Sequence, residues 1–229
     1  SSDLEGKFVK VKWVRTNKGT SLAQEVRCRL VAQELGYGEK MDELFAGTPS
    51  LSAVKTVMFH ASEGGQQRCA MILDVKCAFL YGSMRRRVYI ELPRQDPRHG
   101  SGDTVGLLKK AMYGTRDAPQ IWQGEVQRTM EEIGFKVSML HPSIYHHPGR
   151  EVVVVVHVDD FLCSGEAGNL EWLYQSLRKR YDLSRTMVGS EFEQECKYLN
   201  RIVRWTDRGF EIEGDPRHVN LLQIGRAHV

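Results

Sequence analysis

Two adjacent acids lie in the middle of an apolar segment. Asp159 and Asp160 follow a run of five valines in VVVVVHVDDFL, residues 152–162. If the apolar stretches on either side are the arms of a β-hairpin, the acids form its tip, where a tight turn can bring both carboxylates into one site. Two carboxylates held close repel each other, and a bound divalent cation relieves that repulsion at neutral pH. The simpler alternative is a polar turn, in which Asp is common.

A third acid favours the cation site. Asp74 lies near the end of the apolar segment MILDV, so a neighbouring strand of the same sheet could place it beside the hairpin tip. Mg²⁺ prefers oxygen ligands, commonly one or two carboxylates together with substrate phosphates and water. Two such ions about 3.5–4 Å apart assist an in-line displacement at phosphorus. The pattern predicts phosphoryl or nucleotidyl transfer, with a two-metal nuclease as the competing class.

Strand patterns occur on both sides of these acids. Period-two alternation predicts strands in KFVKVKWVR and VRCRLVA, and the residues between them, 16–21, have turn chemistry. MILDV, RVYIEL and VGLLKK are further strand candidates. The tetrapeptide TDRG predicts a hairpin between KYLNRIVRW and GFEIEG.

Three segments have apolar residues at helical spacing. They are residues 48–65, the segment from Pro119 to Gly134, and the segment that contains Leu170, Leu173, Leu177 and Tyr181. Helices that alternate with hairpins indicate an α+β fold, in which helices back an antiparallel sheet.

Two arginines project from one face of the predicted strand VRCRLVA. At a rise of roughly 3.3 Å per residue, Arg27 and Arg29 lie about 7 Å apart, which suits a phosphate chain. A solvated strand face is the plainer alternative. The formal net charge of the chain is only +3, so charge alone does not identify a polyanionic partner. Local basic clusters, such as residues 85–87 and 178–180, fit a polymer-binding groove.

Composition excludes several classes of protein. A chain of 229 residues that is 41% hydrophobic can bury a sizeable core. Its longest apolar runs fall far below the roughly 20 residues that span a bilayer, and SSDLEGK has no apolar signal core. The five cysteines contain no CxxC pair, which disfavours a disulfide framework and a structural zinc site. We expect an intracellular protein without a membrane partner.

Seven segments, in this order, resemble the copia-type reverse transcriptases of LTR retrotransposons. They are VRCRLVAQEL, DELFAGTPSLSAVKTVM, LDVKCAFLYGSMRRRVYIELP, LLKKAMYGTRDAPQIWQ, GFKVSMLHPSIYHH, VVVHVDDFLCSG and KYLNRIVRW. The resemblance covers about residues 7–220. It implies an RNA-directed DNA polymerase with a right-hand fold, which uses an RNA template, a DNA primer and dNTPs.

The resemblance also implies a division into subdomains. Fingers are expected at about residues 1–70 and 84–118, and the palm at about 71–83 and 119–205. The start of the connection is expected at 206–222. The last residues, QIGRAHV at 223–229, match one reading frame of a common sequencing adapter, and we expect them to be an assembly artefact. A protease, an integrase and an RNase H segment of the same polyprotein are expected outside this chain.

The family motifs assign the metal site to specific residues. Asp74 resembles the metal ligand of the first motif, and Asp159 with Asp160 resembles the xVDD pair. The backbone carbonyl of Val75 is implied as a further ligand. Two Mg²⁺ or Mn²⁺ ions are the implied cofactors.

The remaining motif matches concern the nucleotide and the primer. Arg27 and Arg29 match positions that hold the triphosphate, and Phe79 matches the steric gate against a 2′-hydroxyl. Tyr113 and Gly114 match positions that line the nucleotide pocket. The primer-grip hairpin of the family falls on Tyr198, Leu199 and Asn200.

The chain departs from the family pattern at several positions. His157 replaces the usual tyrosine of YVDD, and Asp117 stands where glutamine is usual. Arg85, Arg86 and Arg87 stand where the family commonly has acids. Because genomic copies of such elements often decay, a catalytically dead nucleic-acid-binding relic is the alternative to an active polymerase.

Overall fold

The computed structural model describes residues 6–17, 19, 23–34, 49–63, 68–101, 104–139 and 141–214. The chain forms two compact units, Ser1–Ala46 with Cys77–Glu125 and Gly47–Lys76 with Val126–Val229. The prediction for the tail at 223–229, and residues 215–222 of the expected start of the connection, lie outside the described residues.

The described helices and strands follow one another in an α+β order. They are β1 (Lys7–Val9), β2 (Val11–Asn17), β3 (Val26–Ala32), α1 (Leu51–Glu63), β4 (Arg68–Val75), a 3₁₀ turn (Ala78–Tyr81), β5 (Val88–Glu91), β6 (Val105–Leu107), α2 (Ala118–Glu132), β7 (Lys136–Val137), β8 (Ile144–His147), β9 (Val152–His157), β10 (Asp160–Glu166), α3 (Ala167–Arg178), β11 (Leu183–Val188), β12 (Glu195–Tyr198), β13 (Arg201–Thr206) and β14 (Gly209–Ile212).

The first unit contains two small sheets. Strands β2 and β3 form an antiparallel hairpin in which Val11 pairs with Ala32 and Asn17 with Val26. The carboxamide oxygen of Asn17 accepts hydrogen bonds from the amides of Gly19 and Glu25, which closes the turn predicted there. The second sheet has the order β1-β5-β6.

The second unit is built on a six-stranded sheet of order β11-β4-β10-β9-β8-β7, in which all neighbours are antiparallel. One face buries Ile72, Val155 and Leu162 against the apolar side of α1. The opposite face receives α3, whose Leu170 lies beside Gly165. Helix α1 begins after Ser50, whose hydroxyl accepts a hydrogen bond from the Ala53 amide. The predicted antiparallel sheet backed by helices is therefore present.

Three details differ from the sequence predictions. Helix α3 ends at Arg178, so Tyr181 is not helical; its hydroxyl is 2.6 Å from the Thr129 hydroxyl. KYLNRIVRW divides into two strands, β12 and β13. Helix α1 falls within the expected fingers range 1–70 but packs on the sheet of the second unit, and the assignment of fingers and palm remains a prediction.

Candidate active site

Two of the predicted metal ligands lie directly opposite each other on neighbouring strands. Asp74 at the end of β4 pairs with Asp160 at the start of β10. One residue further on, the Val75 amide donates a hydrogen bond of 2.9 Å to the carbonyl oxygen of Asp159. Because hydrogen-bonded and non-hydrogen-bonded pairs alternate in an antiparallel ladder, Asp74 and Asp160 form a non-hydrogen-bonded pair. In such pairs the Cα atoms are about 4.5 Å apart, and the side chains share one face of the sheet.

The hairpin tip that carries Asp159 has an unusual backbone. His157 pairs with Asp160, so Val158 and Asp159 form the two-residue turn between β9 and β10. Val158 has a φ of 55°. Positive φ is strained for a β-branched residue, and strain of this kind is concentrated at functional sites. The turn nevertheless keeps Asp159 next to the acid pair.

The third carboxylate is adjacent to the pair but does not complete a preformed cluster. Among the residues that the structure describes, no group of three or more His, Cys, Asp or Glu side chains is arranged to hold a metal ion. Asp74 is exposed, whereas Asp159 and Asp160 are half-buried and Val75 is buried. Carboxylate and carbonyl oxygens are the donors that Mg²⁺ prefers, so the donor set fits this ion.

Two polar side chains near Asp160 have a buried atom without a partner. Among the described residues, His157 Nδ1 and the Tyr198 hydroxyl make no hydrogen bond. Burial lowers the pKa of His157, although the charge of Asp159 opposes part of this shift. Burial also raises the pKa of Tyr198 well above its usual range, and the charges of Asp160 and Cys163 add to the effect. The sequence identifies His157 only as a departure from the tyrosine of the YVDD motif. In the folded chain, His157 pairs with Asp160 across the hairpin.

The predicted primer-grip residues form a tight turn. Leu199 and Asn200 connect β12 to β13 and have φ values of 47° and 62°. Positive φ at both central residues is the signature of a type I′ hairpin turn. Leu199 and Asn200 therefore form the tip, while Tyr198 is 2% exposed and packs with the residues that contact α1.

The nucleotide-binding candidates belong to the first unit, and the structure brings several of them together. The rings of Phe79 and Tyr113 meet edge to face with centroids 4.7 Å apart. The Arg29 guanidinium lies 5.6 Å from the Tyr113 ring centroid. Arg27 instead forms an ion pair of 3.3 Å with Glu25. Phe79 is buried in the 3₁₀ turn, with 9% exposure.

Gly114 is required by its surroundings. Its φ is 87°, and a Cβ at this position would overlap the carbonyl oxygen of Ala32. The close approach reflects backbone hydrogen bonds between β3 and the loop: the Ala32 amide donates to the Tyr113 oxygen at 2.7 Å, and the Glu34 amide donates to the Gly114 oxygen at 3.3 Å. The loop with Tyr113 and Gly114 is thus fixed to the strand with Arg27 and Arg29.

An antiparallel sheet with acids at the ends of adjacent central strands, together with its helices, defines a polymerase-like α+β protein. The family described as "Reverse transcriptase (RNA-dependent DNA polymerase)" matches residues 3–201. The chain belongs to this family, and the fold class predicted from the sequence, a right-hand polymerase fold, is confirmed.

Named relatives place the chain among transposon polyproteins. The Pol polyprotein of transposon TNT 1-94 from Nicotiana tabacum is 28% identical over 183 residues, which are 76% of this chain and 14% of the relative. The polyprotein of transposon RE2 from Arabidopsis thaliana is 30% identical over 166 residues, 69% of this chain and 11% of the relative. The copia-type resemblance is confirmed, and the chain spans a small part of the relatives' length.

A solved structure supports the fold alone. Telomerase from Candida tropicalis aligns with a TM-score of 0.51 at 9% identity, over 93% of this chain and 56% of the telomerase chain. No helix among the described residues is long and apolar enough to cross a membrane.

Proposed function

We propose that this chain catalyses RNA-directed DNA synthesis, in which a primer 3′-hydroxyl attacks the α-phosphate of a dNTP and pyrophosphate leaves. The observation that carries the proposal is the opposition of Asp74 and Asp160 across β4 and β10, with Asp159 on the adjoining turn. Like charges at this spacing destabilise a sheet, so their placement is best explained by a cation that binds between them.

Asp74, Asp159, Asp160 and the carbonyl of Val75 would hold two Mg²⁺ or Mn²⁺ ions. When bound, such ions activate the attacking hydroxyl and stabilise the leaving oxygens. The protein itself contributes preorganisation. Antiparallel pairing on both sides of β4 and β10 fixes the two acid-bearing strand ends before substrate arrives.

The first unit would bind the incoming nucleotide. Arg27 and Arg29 would neutralise the triphosphate, and the Arg29 guanidinium already lies over the Tyr113 ring. Phe79 would exclude a 2′-hydroxyl, and its edge-to-face contact with Tyr113 limits the movement of its ring. Gly114 would let the backbone approach the base and the sugar.

The hairpin tip at Leu199 and Asn200 would contact the primer. Tyr198 would act beneath it as an anchor, because its ring is buried against the core. An RNA template would be held mainly through its phosphates, so binding should weaken steeply with salt. RNase H, integrase and protease segments of the same polyprotein would be the covalent partners, and the cytoplasm, virus-like particles or the nucleus would be the location.

Primer extension on an RNA template tests the proposal. The 229-residue chain is compared with Asp159→Asn and with Asp207→Asn, which removes an exposed acid from the β13–β14 turn. We expect Mg²⁺-dependent extension by the parent chain and by Asp207→Asn, and a loss of at least about 100-fold in Asp159→Asn. Salt-sensitive binding without extension would instead identify a binding relic, and cleavage of the hybrid without dNTPs would identify a nuclease.

A further inference from the structure

One arginine in the first unit binds two acids at once. The Arg86 guanidinium donates to both carboxylate oxygens of Asp117, from Nε at 2.9 Å and from Nη2 at 2.8 Å. It also donates to both oxygens of Glu34, from Nη1 at 2.8 Å and from Nη2 at 2.6 Å. Paired, parallel contacts of this kind are the strong form of an arginine–carboxylate interaction.

Glu34 is the buried centre of this cluster. Its side chain is 1% exposed. Its carboxylate also accepts a hydrogen bond of 2.9 Å from the Arg116 amide and forms an ion pair of 3.1 Å with Lys7. Burial alone would raise the pKa of Glu34, but the contacts with Arg86, Arg116 and Lys7 outweigh it and lower the pKa to about 2. Glu34 is therefore ionised at neutral pH, and its charge depends on these partners.

The cluster lies at the junction that fixes the nucleotide-binding candidates. Glu34 lies two residues after the end of β3, and its amide donates to the carbonyl oxygen of Gly114. Asp117 lies three residues after Gly114 and directly precedes α2. Arg86 thus joins the end of the strand that carries Arg29 to the far side of the loop that carries Tyr113. Without it, the contacts that remain across this junction include the two backbone hydrogen bonds from Ala32 and Glu34 and the hydrogen bond from the Arg116 amide to the Glu34 carboxylate.

The family resemblance marks Arg86 and Asp117 as two separate departures from the residues that it implies at these positions. The two departures are bonded to each other in this chain. An acid at position 86 would bring three carboxylates together at one junction, which is strongly unfavourable. The arginine and the two acids therefore form a mutually dependent set.

We propose that Arg86 is a positioning residue for the incoming nucleotide, which it serves by holding the Tyr113–Gly114 loop on strand β3 through Glu34 and Asp117. The inference rests on the proposed function, because it concerns the nucleotide pocket of the same reaction. The proposal does not require Arg86 to contact the nucleotide, because its guanidinium is bonded to Glu34 and Asp117. Its effect should reach the substrate through Tyr113, whose ring lies beneath Arg29.

Three substitutions separate this role from bulk charge. Arg86→Gln removes the paired contacts, and Arg86→Lys keeps the charge without the two-pronged geometry. Arg85→Gln is the matched control, because Arg85 lines the same cavity of about 300 Å³ as Arg86 but forms no ion pair with either acid within the described part of the chain.

The first measurement does not require activity. Hydrogen–deuterium exchange measures how well the Ala32 and Glu34 amides are protected by their hydrogen bonds to the Tyr113–Gly114 loop. We expect exchange at both amides to be at least about tenfold faster in Arg86→Gln, intermediate in Arg86→Lys and unchanged in Arg85→Gln. Unchanged exchange in both Arg86 variants would overturn the proposal, whether or not the chain is an active polymerase. If Arg86→Gln does not fold, Arg86→Lys alone gives the comparison.

The second measurement connects the junction to the substrate. In steady-state primer extension, we expect Arg86→Gln to raise the KM for dNTP about tenfold while kcat per active molecule changes less than about twofold, with partial recovery in Arg86→Lys. A fall in kcat at constant KM would show a merely structural role and overturn the proposal. Equal effects of Arg85→Gln would overturn it in favour of bulk charge. No extension by the parent chain would refute the proposed function, while the exchange result would still decide whether Arg86 holds the loop.

Discussion

Replacement of Asp74 by asparagine should stabilise the metal-free protein. In a non-hydrogen-bonded pair with Asp160, the two carboxylates lie roughly 5 Å apart. Coulomb's law gives a repulsion of about 0.8 kcal/mol at the dielectric constant of water and about 3 kcal/mol at an effective value near 20. Asp74 is exposed, so the lower end applies, and we expect a gain of about 1 kcal/mol. For a chain of this size, that gain raises the Tm by about 2–4 °C.

Mg²⁺ should reverse the order of stability, so that the parent chain becomes more stable than Asp74→Asn. Thermal unfolding is first measured in EDTA, where Asp74→Asn should be the more stable protein. Saturating Mg²⁺, at about 100 times the Kd, stabilises a folded binding site by about 2.7 kcal/mol, so the parent chain should then gain more than the variant. Glu191→Gln is the control, because it removes an exposed acid of the same unit outside the pair. Equal stability of parent and Asp74→Asn in EDTA, with equal gains in Mg²⁺, would refute the electrostatic account of the site.

Three further substitutions test other features of the second unit. Tyr198→Phe removes a buried hydroxyl without a hydrogen-bond partner, so urea unfolding should show a gain of about 1 kcal/mol, and a loss would show that the hydroxyl is bonded. Val158→Gly removes a β-branched residue from a φ of 55°, and thermal unfolding should show a gain of about 1 kcal/mol. Burial and then Arg68 lower the pKa of His60 from 6.5, so the unfolded chain binds this proton more readily and stability falls as the pH drops through 6.5. Denaturant unfolding from about pH 7 to about pH 5 should show a smaller loss in His60→Gln, and an unchanged slope would contradict this assignment.

The main elements of the fold could be predicted from local patterns because their apolar periodicity is strong. Helix α1 and strand β4 have apolar residues at clear spacing, and both occur where expected. Helix α3 ends earlier than its spacing suggests, because Tyr181 continues the pattern from outside the helix. Local spacing does not distinguish a helical turn from a tertiary contact, here the one with Thr129.

Turn geometry was harder to predict from the sequence than the helices and strands. Leu199 and Asn200 adopt positive φ, but only Asn commonly does so, and therefore the residue pattern alone predicts KYLNRIVRW as one arm of a hairpin. Only the family resemblance implies a hairpin at residues 198–200. The division of this segment into β12 and β13 depends on packing against α1 and on pairing with β14, which involve residues far away in the chain.

The candidate site was predictable in its residues but not in its register. Acids at the ends of two apolar strands indicated that Asp74 and Asp160 could meet, whereas direct opposition depends on a pairing that one residue of slippage would destroy. Glu34 gave no signal, because its role exists only through Arg86 and Asp117. The sequence marks Arg86 and Asp117 as two separate departures from the family resemblance. Only the folded chain shows that these residues form an ion pair.

Three unfavourable features of the second unit lie at or beside the acid pair, while others among the described residues, such as the unpartnered His147 Nδ1 and the positive φ of Glu151, lie elsewhere in the sheet. Opposed carboxylates at Asp74 and Asp160, positive φ at Val158 and an unpartnered hydroxyl at Tyr198 each lower stability, and each lies at or beside the same strand ends. In the rest of this sheet, buried apolar pairs support the pairing register. A decayed chain under selection for folding alone would gain from the loss of any of these features. Their joint presence is the pattern expected where binding of a cation and a substrate, rather than stability, has determined the residues.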